Sequence, residues 1–243
     1  MSAIKFTEID KHYAQSWNKK TIKALDNFSL EVNSGEIFAL AGINGAGKTT
    51  AIKILLGLSK ADKGSCSLFS EAVNRLPASR IGFAPENPDL PEFLTPIELL
   101  NHSAKLAGVK PDNRQITDLL EKLDLSQAAD RQISELSKGN RQRASLAAAM
   151  IHQPELLILD EPGSGLDPLG RSLVKEILKD LNKSGTTIFF STHILSDLPE
   201  FCHRMAVIHQ GQNVFTGNCE QFSNNGSLES LETRFKEMVS QSP

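Results

Sequence analysis

The sequence predicts an α/β fold built around a phosphate-binding loop, and three observations indicate it. Residues 42–50 match the pattern G-x-x-x-x-G-K-[ST] between an apolar run and a helix-forming segment. Short apolar segments typical of strands alternate with helical segments through most of the chain. From about 89 to 150 the apolar residues recur at helical spacing, which predicts a helical insertion within the α/β fold.

The predicted phosphate-binding loop has the flanking elements that its chemistry requires. The run 36–41 is typical of a buried strand, and 51–56 of a helix that ends at Gly57. Glycines let the backbone curl so that N–H groups point at phosphate oxygens, and the helix N-terminus adds positive charge. We expect Lys48 to reach the β- and γ-phosphates and the Thr49 hydroxyl to ligate Mg²⁺. The expected nucleotide contacts are Gly42, Ile43, Asn44, Gly45, Ala46, Gly47, Lys48, Thr49 and Thr50.

The remaining elements are predicted from apolar spacing, caps and turn residues. Segments 3–9 and 27–33 have β-rich patterns around a Lys-rich loop at 18–23, so we expect an antiparallel sheet ahead of the phosphate loop. In the insertion, Thr95 to Glu98 is a capping box with Pro at the first helical position. The other predicted elements are strands at 81–84, 155–160 and 186–191, helices at 116–123, 139–151, 169–183 and 227–239, and a hairpin at 205–216.

The composition limits the partners and the compartment that we expect. The 243-residue chain has a formal net charge of −3, so it has no overall basic surface for nucleic acid. Its three cysteines form no C-x-x-C motif, which indicates a reducing, cytoplasmic compartment. The first residues lack the apolar core of a signal peptide, and no apolar run approaches about 18 residues. We therefore expect any role at a membrane to depend on docking onto another chain.

Two further motifs carry candidate chemistry. The apolar run 156–159 ends in Asp160 and Glu161. In a phosphate-loop hydrolase, a carboxylate at this strand end belongs beside Mg²⁺, which suits Asp160, while Glu161 projects the other way and can polarise an attacking water. The alternative is two solvated acids. The segment 136–143 begins a helix at which Ser137 and the Gly139 N–H are placed to grip an anion; taken alone, it is an ordinary Ser-capped helix.

These motifs follow one another in a recognisable order. The chain has the phosphate loop, the helical insertion, Leu136-Ser137-Lys138-Gly139, the strand ending in Asp160-Glu161, the turn Gly165-Leu166-Asp167-Pro168, and Ser191-Thr192-His193. From about residue 4 to residue 238 it resembles the ATP-binding subunit of an ABC transporter. The segment 136–143 and the turn Pro85-Glu86-Asn87 resemble the branch that serves ABC-2 type membrane subunits, which are mostly exporters.

The resemblance implies a fold and a division of the chain. It implies a P-loop NTPase with a RecA-like core, an antiparallel β subdomain and an inserted α-helical signature subdomain. The core with its β subdomain is expected at 1–86 and 151–226, the helical subdomain at 87–150, and a short C-terminal helix at 227–243.

The resemblance also implies residue roles in a dimer. Two such domains sandwich two ATP molecules, so that each ATP meets the phosphate loop of one copy and Ser137, Lys138, Gly139 and Asn140 of the other. Asp167 would contact the opposite copy, although Asp before Pro is also an ordinary helix cap.

Other implied roles belong to single positions around the nucleotide. His193 resembles the switch histidine near the γ-phosphate, and Tyr13 the aromatic residue that stacks on adenine, with Trp17 as its competitor. Glu86 stands where the family usually has a Gln that ligates Mg²⁺. Further departures are Lys138 for Gly, Asn140 for Gln, and Gly163 for Thr or Ser. They leave the hydrolysis rate and the coupling open.

The implied function is that of an ATP-hydrolysing subunit that powers a transporter. Its expected partners are a second nucleotide-binding subunit, as a homodimer, and a separate ABC-2 type permease that holds it at the inner face of the cell membrane. Residues 87–106 are expected to dock there through Leu90, Phe93, Leu94 and Leu99. Two other readings are a soluble ABC ATPase acting in DNA repair or translation, and a regulatory nucleotide-binding module. Glu161 and His193 argue against the second of these.

Overall fold

The computed structural model describes residues 1–14, 21–73, 77–195, 198–199, 201–223 and 228–240. The chain forms two compact units, Met1–Leu76 with Phe189–Pro243, and Pro77–Ile188. The strands are β1 (Ser2–Ala14), β2 (Thr21–Asn33), β3 (Ile37–Ala41), β4 (Lys63–Leu68), β5 (Glu71–Ala72), β6 (Ile81–Ala84), β7 (Leu156–Asp160), β8 (Thr187–Thr192), β9 (Arg204–His209) and β10 (Gln212–Gly217). The helices are α1 (Lys48–Leu55), α2 (Pro96–Leu106), α3 (Asn113–Lys122), α4 (Lys138–Met150), α5 (Pro168–Lys183), α6 (Cys219–Ser223) and α7 (Leu228–Ser240).

An antiparallel sheet in the order β2-β1-β4-β5 forms part of the first unit. β1 pairs with β2 through Phe6 opposite Leu30 and Ile9 opposite Phe28. The rings of Phe6 and Phe28 meet edge to face at 5.3 Å, which buries one side of the sheet. The predicted antiparallel sheet is confirmed. The predicted loop at 18–23 is wrong at 21–23, because these residues extend β2, and 18–20 lie outside the described residues.

The first unit also contains strands in the order β10-β9-β3-β8. β3 runs parallel to β9, with Phe38 opposite Arg204, and β9 and β10 form the predicted hairpin. Every residue of β3 is buried, as expected for a strand with neighbours on both edges and covered faces. The chain leaves β3 at Ala41 and enters α1 at Lys48, so the phosphate loop lies at the carboxyl end of a central strand.

In the second unit, α2 and α3 pack on α4, and α4 packs on the strand pair of β6 and β7 through β6. These strands run parallel, with Gly82 opposite Leu157, and the start of β8 continues the sheet where the Thr187 N–H donates to the Glu155 carbonyl at 2.9 Å. The predicted capping box of α2 is present, because the Thr95 hydroxyl accepts from the Glu98 N–H and the Glu98 carboxylate accepts from the Thr95 N–H. The helices predicted near 116–123, 139–151 and 169–183 are α3, α4 and α5. Within the described ranges, no helix is both long and apolar enough to cross a membrane.

Candidate functional site

The phosphate loop of the first unit is shaped by two glycines and one lysine. Gly45 and Gly47 have φ angles of +81° and +114°, which let the loop turn back over the start of α1. The Lys48 ammonium donates to the Gly42 carbonyl at 2.7 Å and to the Ile43 carbonyl at 3.3 Å. Lys48 is only 6% exposed, so its charge is held within the loop.

The chemical capacity of this loop follows from where its groups lie. The N-terminus of α1 carries partial positive charge and backbone N–H groups without helical partners, and Lys48 adds a full charge. Thr49 is exposed in the first turn of the same helix. Ile43 and Asn44, in the loop before the helix, are exposed as well. This combination of cation, N–H donors and an accessible hydroxyl suits a polyphosphate.

Two other predicted residues belong to the same unit. His193 directly follows β8, and the Thr192 carbonyl before it accepts from the Gly42 N–H at 3.1 Å, so His193 lies beside the first residue of the phosphate loop. Tyr13 lies near the end of β1 and is 40% exposed. The Lys11 ammonium lies 5.2 Å from the centre of the Tyr13 ring. Trp17, its competitor, lies outside the described residues, so the adenine partner stays a prediction.

In the second unit, the two predicted acids lie at the end of β7. Asp160 and Glu161 are each 5% exposed, which excludes a pair of solvated carboxylates. Glu161 has a φ of +50°, an uncommon backbone conformation for a residue with a side chain, and its carbonyl accepts from the Ser164 N–H at 2.9 Å. Strained conformations of this kind concentrate at functional sites. The chain thus holds two buried acids on a sharply turned backbone.

The signature segment and the turn around Asp167 meet in one cavity of the second unit. Its volume is about 610 Å³, and its lining includes Ser137, Gly139, Gly165, Leu166, Asp167 and Gly170. Ser137 caps α4 by accepting from the Asn140 N–H at 3.2 Å, and Asp167 caps α5 by accepting from the Gly170 N–H at 2.7 Å. Both residues therefore have a structural role as caps. Their contact with a second copy stays a prediction.

Glu86 is partly withdrawn from solvent and lies close to Ser164. Glu86 is half-buried after β6, and the Ser164 hydroxyl lies 3.5 Å from its carboxylate, at the outer limit of a hydrogen bond. Across the described residues, no three His, Cys, Asp or Glu side chains form a ready-made metal cluster. This is compatible with Mg²⁺, which binds proteins through one or two carboxylates and takes further ligands from water and substrate phosphates.

Gln142 lies in the motif 136–143, and no role was predicted for it. Gln142 is 4% exposed on α4, and its amide nitrogen donates to the Pro85 carbonyl at 3.2 Å. Its amide oxygen is buried without a hydrogen-bond partner. This contact links α4 to the turn that carries Glu86. A buried polar residue in a helix was the available sequence signal, but its partner lies 57 residues away.

An apolar groove of about 380 Å³ lies in the second unit near the predicted docking segment. Of the four predicted docking residues, Leu90 and Leu99 line it, together with Phe83, Leu106, Ala148 and His152. Phe93 is 73% exposed, and Leu94 is partly buried. The structure therefore brings two of the four residues together with Leu106, which is also 73% exposed.

Comparison of the sequence with known proteins gives one family. A family model described as ABC transporter matches residues 25–164. The chain is 39% identical over 224 residues to an ABC transporter ATP-binding protein of Synechocystis sp., covering 90% of this chain and 63% of the relative. It is 37% identical over 222 residues to Nod factor export ATP-binding protein I of Burkholderia thailandensis, covering 89% of this chain and 71% of the relative. The chain thus spans less than two thirds of the Synechocystis protein.

Solved structures agree with the fold. The structure of an ATP-binding subunit of an ABC transporter matches with a TM-score of 0.84 at 27% identity, covering 96% of this chain and 99% of that one. A dimeric ATP-binding cassette bound to ADP and phosphate matches with a TM-score of 0.80 at 23% identity, covering 88% and 98% of the two chains, a likeness of fold alone. The predicted fold class, a P-loop NTPase α/β fold, is confirmed.

Proposed function

The chain belongs to the ABC transporter family, within its ATP-binding ATPase domains, and we propose that it is the subunit that hydrolyses ATP to power a membrane exporter. The observation that carries the proposal is the Lys48 ammonium held inside the phosphate loop by the Gly42 and Ile43 carbonyls. A lysine at a helix N-terminus adds its charge to that of the helix end, and together they attract the β- and γ-phosphates of ATP. Export is supported by the named function of the Burkholderia relative.

Hydrolysis requires a metal, a water and a base. The Thr49 hydroxyl and the Asp160 and Glu86 carboxylates are hard oxygen groups of the kind that Mg²⁺ prefers, and they would hold it. When bound, Mg²⁺ neutralises charge on the phosphate oxygens. Glu161 would accept a proton from the attacking water. Glu161 is only 5% exposed at the end of β7, so its carboxylate is withdrawn from bulk solvent. His193 would contact the γ-phosphate, and this contact would be lost when the γ-phosphate is hydrolysed.

The signature segment gives a reason for a dimer. The cavity with Ser137, Gly139 and Asp167 lies in a unit that does not contain the phosphate loop. In the proposed cycle, each ATP is bound by the phosphate loop of one subunit and by residues 137–140 of the other. ATP closes the dimer and hydrolysis reopens it, because a ligand that binds only the closed form stabilises that form. The proposed partner is a second copy of this chain.

The proposed membrane partner is a separate ABC-2 type permease. It would hold the chain at the cytoplasmic face of the cell membrane, through the groove lined by Leu90, Leu99 and Leu106. Glu161 and His193 favour an ATPase over a regulatory nucleotide-binding module, and the apolar groove is compatible with a transporter subunit. The domain division given above, with a helical subdomain at 87–150, belongs to the same proposal.

Nucleotide binding is tested by a pair of lysine variants on α1. Lys48→Ala should lose most ATP affinity, measured by equilibrium dialysis with labelled nucleotide. Lys53→Ala is the matched control, because Lys53 is an exposed lysine of the same helix. Equal ATP binding by Lys48→Ala and the wild type would contradict the proposed role of the loop.

Docking is tested by placing charge in the groove. Leu106→Glu should release the chain from membranes that contain its permease, while basal ATP hydrolysis stays unchanged. Leu58→Glu is the control, because Leu58 is 70% exposed in the other unit. If Leu106→Glu remains on the membrane as the wild type does, docking uses another surface and the groove proposal is wrong.

A further inference from the structure

Three sulfur atoms of the first unit are linked by two close contacts. They belong to Cys202, Met205 and Cys219 and are called the sulfur cluster below. The Cys202 and Cys219 sulfurs are 3.7 Å apart, and the Cys219 sulfur is 3.7 Å from the Met205 sulfur. We propose that the sulfur cluster is a binding site for a soft monovalent metal ion, Cu(I), which nothing in the ATPase mechanism uses.

The distances between the sulfur atoms suit a shared metal. Sulfur ligands lie about 2.3 Å from a thiolate-bound metal such as zinc. Two such ligands of one metal are then about 3.8 Å apart in tetrahedral geometry and about 4.0 Å apart in trigonal geometry, from the same bond length. The two separations that involve Cys219 fall just below these values. For these two pairs, binding requires the sulfur atoms to move apart by only a few tenths of an ångström, as estimated from that bond length.

Each sulfur is carried by a backbone that is already fixed. Met205 lies in β9 between β3 and β10, opposite Ala39 and Gly217, and is fully buried. Cys219 begins α6, where Asn218 and Gln221 exchange side-chain to backbone hydrogen bonds of 2.9 and 2.7 Å. A site on rigid elements loses little conformational freedom on binding.

The third position, Cys202, combines a fixed backbone with access to solvent. The Cys202 N–H donates to the Leu198 carbonyl at 3.0 Å, and the following residue, His203, donates its N–H to Ile37 in β3 at 2.9 Å. Cys202 is partly exposed, whereas Cys219 is buried. Cys202 is therefore the most exposed residue of the sulfur cluster, and its thiol donates to the Leu198 carbonyl at 3.4 Å.

The chemistry of the sulfur atoms selects the class of metal. Thiolates and a thioether are soft ligands, which favour Cu(I), whereas structural zinc sites take four ligands from Cys and His. On binding, each thiol releases its proton to solvent, and the complex of two thiolates, one thioether and Cu(I) carries one negative charge.

The simplest alternative is a disulfide between the two thiols. Met205 is the observation against it, because a thioether 3.7 Å from Cys219 adds nothing to a disulfide but completes a three-sulfur site. The proposal is therefore specific about the thioether. It predicts that Met205 matters for metal affinity, whereas a disulfide would form equally well without it.

The test is an anaerobic titration of the purified full chain with Cu(I) against a chromophoric Cu(I) chelator. The wild type should hold one equivalent of Cu(I), and its Tm should rise when the metal is added. Cys202→Ser and Cys219→Ser should lose the site. Met205→Leu should lower the affinity for Cu(I) by about 10- to 100-fold or more, since the loss of a group that only supports a metal site already costs that much. Cys66→Ser is the matched control and should bind as the wild type does.

Other outcomes overturn the proposal. It is wrong if the wild type takes no Cu(I) from the chelator, or if the two cysteine variants bind as well as the wild type. It is also wrong if the chain binds Zn²⁺ but not Cu(I). Unchanged Cu(I) affinity in Met205→Leu would show that the Met205 thioether is not a ligand, which contradicts the proposed three-sulfur site. Far-ultraviolet circular dichroism of the metal-free variants, with wild-type spectra expected, shows that each has folded.

Discussion

The shape of the phosphate loop makes a quantitative prediction about two glycines that are only two residues apart. A Cβ added to Gly47 would lie 2.6 Å from the Ala24 carbonyl oxygen and 3.0 Å from a methyl carbon of Leu25. A Cβ added to Gly45 would have no atom within 4 Å. Both residues have positive φ angles, so Gly45→Ala isolates the backbone cost and Gly47→Ala adds the clash.

The magnitudes separate the two variants. A left-handed conformation costs a residue with a Cβ about 1–2 kcal/mol. Overpacking costs a further 1–3 kcal/mol, roughly, and here the obstacle is a backbone oxygen that side-chain rotation does not relieve. Gly45→Ala should therefore lower the free energy of unfolding by about 1–2 kcal/mol and Gly47→Ala by about 2–5 kcal/mol.

Denaturant unfolding followed by circular dichroism measures the free energy of unfolding of both variants. A loss of ATP affinity indicates that the phosphate loop is distorted. Gly47→Ala should be the less stable variant and should bind ATP more weakly than the wild type. Equal free energies of unfolding for the two variants would refute the reasoning, because the close contact with Ala24 would then have no energetic consequence.

Three other predictions concern single residues. Asp167→Asn should keep the cap of α5, whereas Asp167→Ala should lower the free energy of unfolding by about 1 kcal/mol, measured by denaturant unfolding. Wild-type ATPase activity in Asp167→Asn would show that Asp167 acts only as a helix cap. Glu86→Gln should raise the Mg²⁺ concentration for half-maximal ATPase, because a neutral amide replaces a charged oxygen ligand, and superimposable Mg²⁺ titrations would disprove this. Burial raises the pKa of Cys66 to about 12, so its thiol stays protonated at pH 8 in the folded chain. It should therefore react with iodoacetamide more than about a hundredfold slower than a thiol of ordinary pKa, because the thiolate is the reactive form. Equal reaction rates would contradict the burial of Cys66.

The elements that could be predicted from the sequence are those with a local cause. The phosphate loop, the capping box at Thr95 and the hairpin turn at 210–211 each depend on residues a few positions apart. β4 was not predicted, because its residues Lys63 to Leu68 contain a glycine and two serines and show no clear alternation. It is a strand because β1 provides partners, for example Phe6 opposite Cys66, and such pairing is not visible in β4 itself.

The candidate site divides in the same way. Lys48, Asp160 and Glu161 could be predicted, because motif and strand end fix them locally. The Gln142 contact with Pro85 and the sulfur cluster could not, because each joins elements that meet only in the folded chain. The positive φ of Glu161 was also not predictable, because residue 161 is neither glycine nor asparagine, the residues that favour this conformation.

The central claim is that this chain hydrolyses ATP with Glu161 as the base. The measurement that tests it most directly is phosphate release by Glu161→Gln, with ATP binding measured on the same sample. Glu155→Gln is the control, because Glu155 is an exposed acid just before β7, paired with Arg80 at the surface.

The account predicts that Glu161→Gln binds ATP as the wild type does and releases phosphate about 10²- to 10⁴-fold more slowly, the usual contribution of a general base. It also predicts that ATP converts this variant to a dimer in light scattering, because the closed form can no longer reopen by hydrolysis. Glu155→Gln should hydrolyse ATP at the wild-type rate. Near-normal phosphate release by Glu161→Gln would contradict the account, since the attacking water would then be activated without the Glu161 carboxylate.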